Sequence, residues 1–407
     1  MTTGRTNWAC ALVALAATTA AMTTGAAAQQ MPGVTKTEIK IGNTDAYSGP
    51  ASAYASVAKG DAAYFRMVND EGGINGRKVN FISLDDGYSP PKTVEQVRRL
   101  VEQDEVAFIF NPLGTPTNSA IQKYLNLKKV PQLLVSSGAD KWANPKEFPW
   151  TIGWQPSYRT EAQIYTRYIL ANKPDAKIAL LYQNDDFGKD YVAGVRDVLG
   201  DRFDKLVVKS VSYEVTDPTI DSQVVSLQGA GADTLIVGAT PKFAAQAIRK
   251  VADIGWKPLF FLTNVSISVG SVLEPAGVEK ATGIISAAYQ KDPGDPKWKD
   301  DPGMNRYRAF FAKYLPGADI NDNSYEFGYG VTMTMVAALK QCGDDLSRAN
   351  ILKQTTNLHD IDIPTLLPGV KVETSPTNYH PIRQMQLERW TGKNWELFGS
   401  VIEGAGS

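Results

Sequence analysis

Between Glu38 and Asp86 the chain reads as one complete strand–helix–strand unit, and this unit constrains the fold more than any other stretch. Ile39 and Ile41 carry a strand pattern into a polar Ser48-Gly49-Pro50 loop. A long helical stretch follows, and Gly72-Gly73-Ile74-Asn75-Gly76 stops it. A second strand (Val79, Phe81, Ile82) then ends at Asp85-Asp86. Strands joined through a helix build a parallel sheet covered on its faces. Such open α/β sheets bind ligands in loops at the carboxyl ends of their strands, so the loop after the first strand is a candidate ligand loop.

The rhythm continues. Pro91 to Gln103 reads as a helix, Val106 to Phe110 as a buried strand, Asn111 to Thr117 as a polar turn opening another helix, and Pro131 to Val135 as a strand ending in Ser136-Ser137-Gly138-Ala139. The stretch from Trp142 to Tyr158, with its prolines and tryptophans, breaks the pattern and reads as a crossing between domains. The alternation then restarts: helix from Tyr158, strand from Lys177, the Asn184-Asp185-Asp186-Phe187-Gly188 loop into a helix, strands at Leu206–Tyr213, Thr234–Val237 and Leu259–Leu262, and helices from Pro218 and Pro241. A second doubly wound domain is expected. Lys291 to Gly303 is rich in charge, proline and glycine; its spacing matches no calcium loop, and a solvated surface loop is expected. Three helices follow, near Asn305–Lys313, Tyr325–Gln341 and after Leu346. Gly369–Glu373 and Pro381–Phe398 alternate like strands, and Thr391-Gly392-Lys393-Asn394 reads as a hairpin turn.

Composition narrows the function. A chain of 407 residues suits two domains. Its net charge of -1 and apolar fraction of 43% fit a globular protein and offer no basic excess for nucleic acid. Arg5, the apolar run Trp8–Ala21 and the small residues Gly25-Ala26-Ala27-Ala28 read as an export signal over 1–28, cleaved after Ala28. Cleavage removes Cys10 and leaves Cys342 alone, so no internal disulfide is expected.

The missing chemistry is informative. Only two histidines exist, His359 and His380, both late in the chain, so a histidine-based triad or a zinc site has little to draw on. No P-loop, dinucleotide fingerprint or nucleophile elbow is present. Asp85-Asp86, Asp185-Asp186 and Asp344-Asp345 read as turn and cap residues. No cofactor and no metal are expected, and a carrier is expected rather than an enzyme. What remains are strand-to-helix loops. Leu113-Gly114-Thr115-Pro116-Thr117 presents a hydroxyl and free N–H groups at a helix N-terminus, suited to a carboxylate; ordinary N-capping by Thr115 is an equal alternative. Tyr54 and Phe187 are each either core or pocket wall.

On these residues the chain resembles the leucine/branched-chain amino-acid-binding family of periplasmic solute receptors for ABC transporters. The resemblance is carried by Ile39-Lys40-Ile41-Gly42, Ser48-Gly49-Pro50, Asn69 with Gly72 to Arg77, Asp85-Asp86, Ser136 to Ala139, Gln183 to Gly188, and Gly231-Ala232-Asp233. It covers the mature chain nearly end to end.

The resemblance implies an α/β fold of two doubly wound parallel-sheet lobes joined by three hinge crossings, the Venus-flytrap arrangement of type I periplasmic binding proteins. One lobe would be 36–155 with 288–369, the other 156–287 with 370–407. The site it implies holds the ligand carboxylate at Thr115 and along the Ser137, Gly138, Ala139 backbone, with Asp140 beside the headgroup. Tyr54 would cover the ligand, Phe187 would close over it from the second lobe, and Thr240 and Tyr325 would add contacts. Amino-acid binders of the family carry a glutamate for the ligand ammonium where this chain has Asn264. Asn264 is neutral, so either Asp140 substitutes for the glutamate or the ligand lacks an ammonium. Branched-chain or other amino acids, aromatic acids, and amides or urea all remain ligand classes. A monomer in the periplasm that delivers its solute to a membrane permease is expected; a ligand-sensing receptor is the alternative.

Overall fold

The computed structural model describes residues 1–4 and 31–404; the expected signal run and its cleavage point after Ala28 lie outside the described residues. From residue 31 onward the chain forms one compact unit built on two sheets.

The first sheet has the order β2-β1-β3-β4-β5, with β1 Glu38–Asp45, β2 Lys78–Asp85, β3 Phe108–Phe110, β4 Gln132–Val135 and β5 Thr151–Gly153, all parallel. Helices α1 Ser56–Asp70, α2 Pro90–Glu102 and α3 Thr115–Lys128 connect it. Strand β5 lies inside the stretch read from sequence as a crossing. That expectation needs correction: Thr151-Ile152-Gly153 is too short to show alternation, yet it pairs with β4 and closes the sheet edge. Within β4 the register shifts between Leu133 and Val135, and Leu134 adopts φ 52°. An inserted residue of this kind reverses which face later residues present.

The second lobe begins with α4 Tyr158–Asn172 and continues through β6 Ile178–Gln183, α5 Asp186–Leu199, α6 Phe203–Leu206, β7 Val207–Tyr213, α7 Asp221–Gly229, β8 Thr234–Gly238, α8 Pro241–Asp253, β9 Leu259–Leu262, α9 Glu274–Ala276 and β10 Ile285–Ala288. After β10 the chain forms α10 Pro302–Tyr314, α11 Ser324–Gln341 and α12 Arg348–Thr355, then returns as β11 Gln384–Trp390, β12 Trp395–Leu397 and β13 Ile402–Glu403. The second sheet runs β12-β11-β10-β9-β8-β6-β7 with β13 also on β11; β11 pairs antiparallel with β10, β12 and β13, and the other pairs are parallel. The hairpin at Thr391–Asn394 pairs Trp390 with Trp395. Gly369–Glu373, by contrast, forms no strand and makes only an isolated bridge between Ile361 and Val372.

The segment from α10 to α12 packs back on the first lobe. Helices α1 and α11 touch backbone to backbone: a Cβ on Gly328 would lie 2.5 Å from the Val57 carbonyl oxygen and 3.0 Å from the Gly60 Cα. Beside that contact the buried Asp61 accepts hydrogen bonds from Thr332 (2.9 Å) and Asn111 (2.8 Å). Arg348 donates to the carbonyls of Val106 and Ala107, both at 2.8 Å. These contacts support our proposed lobe limits, in which 288–369 joins 36–155 and 370–407 joins 156–287.

The contact between α1 and α11 gives the first prediction. Gly328→Ala, although it favours helix, will lower unfolding free energy by about 1–3 kcal/mol through overpacking. Gly229→Ala, where nothing lies within 4 Å, will be neutral or stabilising by up to about 1 kcal/mol. Urea titration of the two variants decides it, and equal midpoints would contradict the close contact.

Candidate functional site

A cleft of about 990 Å³ opens where the strand ends of both sheets meet the crossings. It is lined by Tyr54, Tyr88, Gly114, Thr115 and Ser136 from the first lobe and by Tyr158, Phe187, Thr240 and Asn264 from the second. Of the residues expected from sequence, Tyr54, Thr115, Phe187, Thr240 and Asn264 therefore come together in one place.

Thr115 is the first residue of α3 and does not cap it. The cap position belongs to Gly114 at φ 95°, where a Cβ would lie 2.4 Å from the Tyr88 ring. Pro116 has no N–H, and the first-turn N–H groups of a helix have no intrahelical partner. The Thr115 hydroxyl pairs with Ser137 Oγ at 2.6 Å. Ser137 Oγ also accepts from Trp142 Nε1 at 2.9 Å and from the Ala139 N–H at 3.2 Å. Ser137 thus stands behind Thr115, and Ser136 faces the cleft. The bulge at Leu134 accounts for this one-residue offset.

Gly138, Ala139, Asp140 and Tyr325 do not line the cleft. The Gly138 carbonyl accepts the Tyr158 N–H at 2.8 Å, and a Cβ there would lie 2.4 Å from the Pro156 carbonyl oxygen, so Gly138 lets the first crossing pass. Ala139 is buried. The Asp140 carboxylate accepts from Ser157 Oγ at 2.9 Å and lies 3.8 Å from His380 Nε2 and 3.9 Å from Arg159. Tyr325 packs edge-on against Phe311 at 5.5 Å.

Asn264 has an unexpected anchor. Its backbone N–H donates to Glu161 Oε1 at 2.8 Å and its side-chain amide donates to Glu161 Oε2. The same carboxylate accepts from Tyr191 Oη at 2.6 Å and from Tyr165 Oη. Glu161 is fully buried, and desolvation raises its pKa from 4.5 to about 7 despite these donors. With its amide nitrogen committed, Asn264 can offer its carbonyl oxygen to the cleft, with the Glu161 carboxyl behind it. Glu161 gave no sequence signal of a site; it is an ordinary first-turn acid of α4.

The aromatic wall is a cluster. Tyr158 lies 4.6 Å from Phe187 and 5.8 Å from Tyr191, and Trp154 meets Phe327 at 5.1 Å and Tyr289 at 6.1 Å. Several contacts join the lobes, among them a bond from Ser268 Oγ to Asp322 at 3.2 Å. Tyr54 Oη donates to the Val265 carbonyl at 3.0 Å, the Asp140 N–H donates to Asp190 at 2.8 Å, and Lys141 pairs with Asp186 at 3.0 Å.

The loop expected to be solvated, Lys291–Gly303, is a further correction. Lys291, Asp295 and Trp298 are buried, and Lys291 and Asp292 line the cleft. Lys291 Nζ donates to Asp301 at 3.0 Å and to the Pro364 carbonyl at 2.8 Å, which draws the loop inward. Among the described residues no group of three or more His, Cys, Asp or Glu side chains could hold a metal ion, and no helix is long and apolar enough to cross a membrane.

With this geometry in hand, comparison with known proteins is direct. The model of the periplasmic binding protein family matches residues 38–394, and the chain belongs to that family, whose members are extracytoplasmic solute-binding proteins and not enzymes. A Leu/Ile/Val-binding protein homolog 1 of Brucella suis is 25% identical over 317 residues, covering 76% of this chain and 80% of the relative. Among solved structures, a branched chain amino acid ABC transporter protein from Thermus thermophilus with bound valine aligns with a TM-score of 0.81 at 16% identity, over 91% of this chain and 98% of that one. A fatty acid ABC transporter substrate-binding protein from Thermomonospora curvata aligns with a TM-score of 0.75 at 21% identity, over 92% and 95%. The two structures establish the shared fold of two α/β lobes.

The buried acids fix the pH dependence of stability. Asp45, wholly buried while accepting the Ala46 and Ala58 N–H groups, is raised by desolvation from 3.8 to about 8. Between the ordinary and raised pKa values the folded state holds more protons than the unfolded state, so stability falls as pH rises. The window runs from about 4 to about 8 for Asp45 and from about 4.5 to about 7 for Glu161. The thermal midpoint will therefore be lower at pH 8.5 than at pH 6, and Glu161→Gln will flatten the slope. Calorimetry across that range tests it; a midpoint that climbs toward pH 8.5 would rule out protonated buried acids.

Proposed function

We propose that this protein is the extracytoplasmic receptor of an ABC importer. It captures a small carboxylate-bearing solute, an amino acid among the candidates, between its lobes and delivers it to a membrane permease. The observation that carries this reading is the N-terminus of α3, where Thr115 and its first-turn N–H donors face a cleft that the second lobe covers with aromatic rings. A carboxylate there meets the helix dipole and charge-assisted hydrogen bonds. Closure then brings Phe187 and Thr240 against the solute, so a ligand that contacts both lobes shifts the population toward the closed form. The anchored Asn264 supports an amino acid over a plain acid, because its amide nitrogen is committed to Glu161 and its carbonyl oxygen is left to accept from an ammonium. Export by the leader over 1–28, a periplasmic location and a monomeric state complete the proposal; the relatives named for Leu/Ile/Val binding support the transport role.

The test is a thermal-shift and calorimetric screen of the mature chain, residues 29–407, refolded to remove carried ligand, against aliphatic amino acids, aromatic acids, amides and urea. A ligand that binds only the folded form raises the midpoint. For the ligand found, Thr115→Ala will weaken binding by about 1.5–3 kcal/mol, the range for a hydrogen bond to a charged group. It will leave the unliganded midpoint nearly unchanged, because Ser137 keeps its Trp142 and Ala139 partners. Thr115→Ser will retain most of the affinity. Unchanged affinity in Thr115→Ala removes the carboxylate site.

A further inference from the structure

Three cleft residues take no part in holding a carboxylate. Glu326 comes from the first turn of α11, Glu388 from the middle of β11, and Asp292 from the second crossing, and all three line the cleft. Glu326 and Glu388 are only 1% and 3% exposed, and Oε1 of each has no hydrogen-bond partner. Buried acceptors without partners are rare and costly. Two cations act on Glu326: the Lys291 ammonium is committed to Asp301 and the Pro364 carbonyl, and the Arg308 guanidinium to the Trp298 and Pro293 carbonyls and Asn305.

The three acids line one cleft and act on one another. Burial pushes each carboxyl above its ordinary range, and the charge of Asp292 pushes both Glu326 and Glu388 further. An aliphatic side chain docked here would leave the acceptors unsatisfied; a multivalent hydrogen-bond donor with positive charge would satisfy them.

We propose that Glu326, Glu388 and Asp292 form a second subsite that takes the cationic end, an ammonium or guanidinium, of a solute whose carboxylate is held at Thr115 and Ser136. The solute class is then an amino acid or ω-amino acid with a basic side chain. This inference rests on the carboxylate reading above and specifies its substrate. In the subsite the carboxyls ionise as the cation docks, so binding releases protons to solvent.

The experiment is titration calorimetry on the refolded 29–407 chain with caproate, ε-aminocaproate, L-leucine, L-lysine and cadaverine, in two buffers of different ionisation enthalpy. The expected result is that ε-aminocaproate binds about 10-fold or more tighter than caproate and L-lysine likewise tighter than L-leucine, as charge-assisted hydrogen bonds require. Proton release is expected with the basic members only. In Glu326→Gln/Glu388→Gln that gain and the proton release vanish while caproate binding persists, with circular dichroism melts confirming a folded variant. Equal affinity for caproate and ε-aminocaproate overturns the subsite and leaves the carboxylate reading intact. A gain that survives in the double variant overturns its assignment to these residues. Binding of cadaverine that is lost in the double variant, with no binding of caproate or L-leucine, keeps the subsite and overturns the carboxylate site. No binding by any of the five overturns both.

Discussion

The backbone contact between Gly60 of α1 and Gly328 of α11 is the constraint on which the cleft depends. Those helices approach so closely that neither position has room for a side chain. The chain that leaves the second lobe at β10 must therefore return to the first lobe, and it must cross again to lay β11 beside β10. Each crossing passes the strand ends where the cleft lies. The floor of the site is thus made of crossing residues, Ala288 to Asp292, with the first turn of α11 beside them. The buried Asp61, bonded to both Asn111 and Thr332, fixes the rotation of α11 and with it the aim of Glu326.

Within that frame the polar groups divide by source. Donors come from the first lobe, at the start of α3, where backbone N–H groups and hydroxyls converge without a formal charge. Acceptors come from both lobes: Asp292 and Glu326 from the segment that returns to the first lobe, Glu388 and the Asn264 carbonyl from the second. In the proposed function, a solute that touches Thr115 on one lobe and Glu388 or Asn264 on the other favours the closed form.

Sequence patterning revealed the two sheets because their strands are short apolar runs separated by glycine- and proline-rich turns, and it marked Thr115 as a hydroxyl at a helix start; the family resemblance supplied Thr240 and Asn264. It placed Ser137 at the cleft because no sequence pattern announces the left-handed Leu134 that shifts the face by one residue. Composition read Lys291 to Gly303 as solvated because the inward pull comes from one lysine, which bonds Asp301 within the loop and the distant Pro364 carbonyl. Glu388 carried no sequence signal of a site. Glu326 did leave a trace: it is the one charged residue in Ser324–Leu339, a run otherwise apolar or hydroxylic. A lone carboxylate in such a helix has either a buried partner or a ligand.

The same carboxyls set stability against recognition. Asp45 and Asp61 spend their buried acceptors on backbone and side-chain donors, so their cost is structural and holds the loop and helix after β1. Glu326 and Glu388 have an oxygen apiece with no such return inside the fold. A chain selected for stability alone would replace them with apolar residues, which buried charged groups tolerate well as substitutes. Their retention beside a committed Lys291 argues that the missing partner arrives from outside. Strain of this kind concentrates at functional sites because the bound state relieves it. Under the proposed subsite, relief on binding makes affinity steeper in the charge at the far end of the solute than in its bulk.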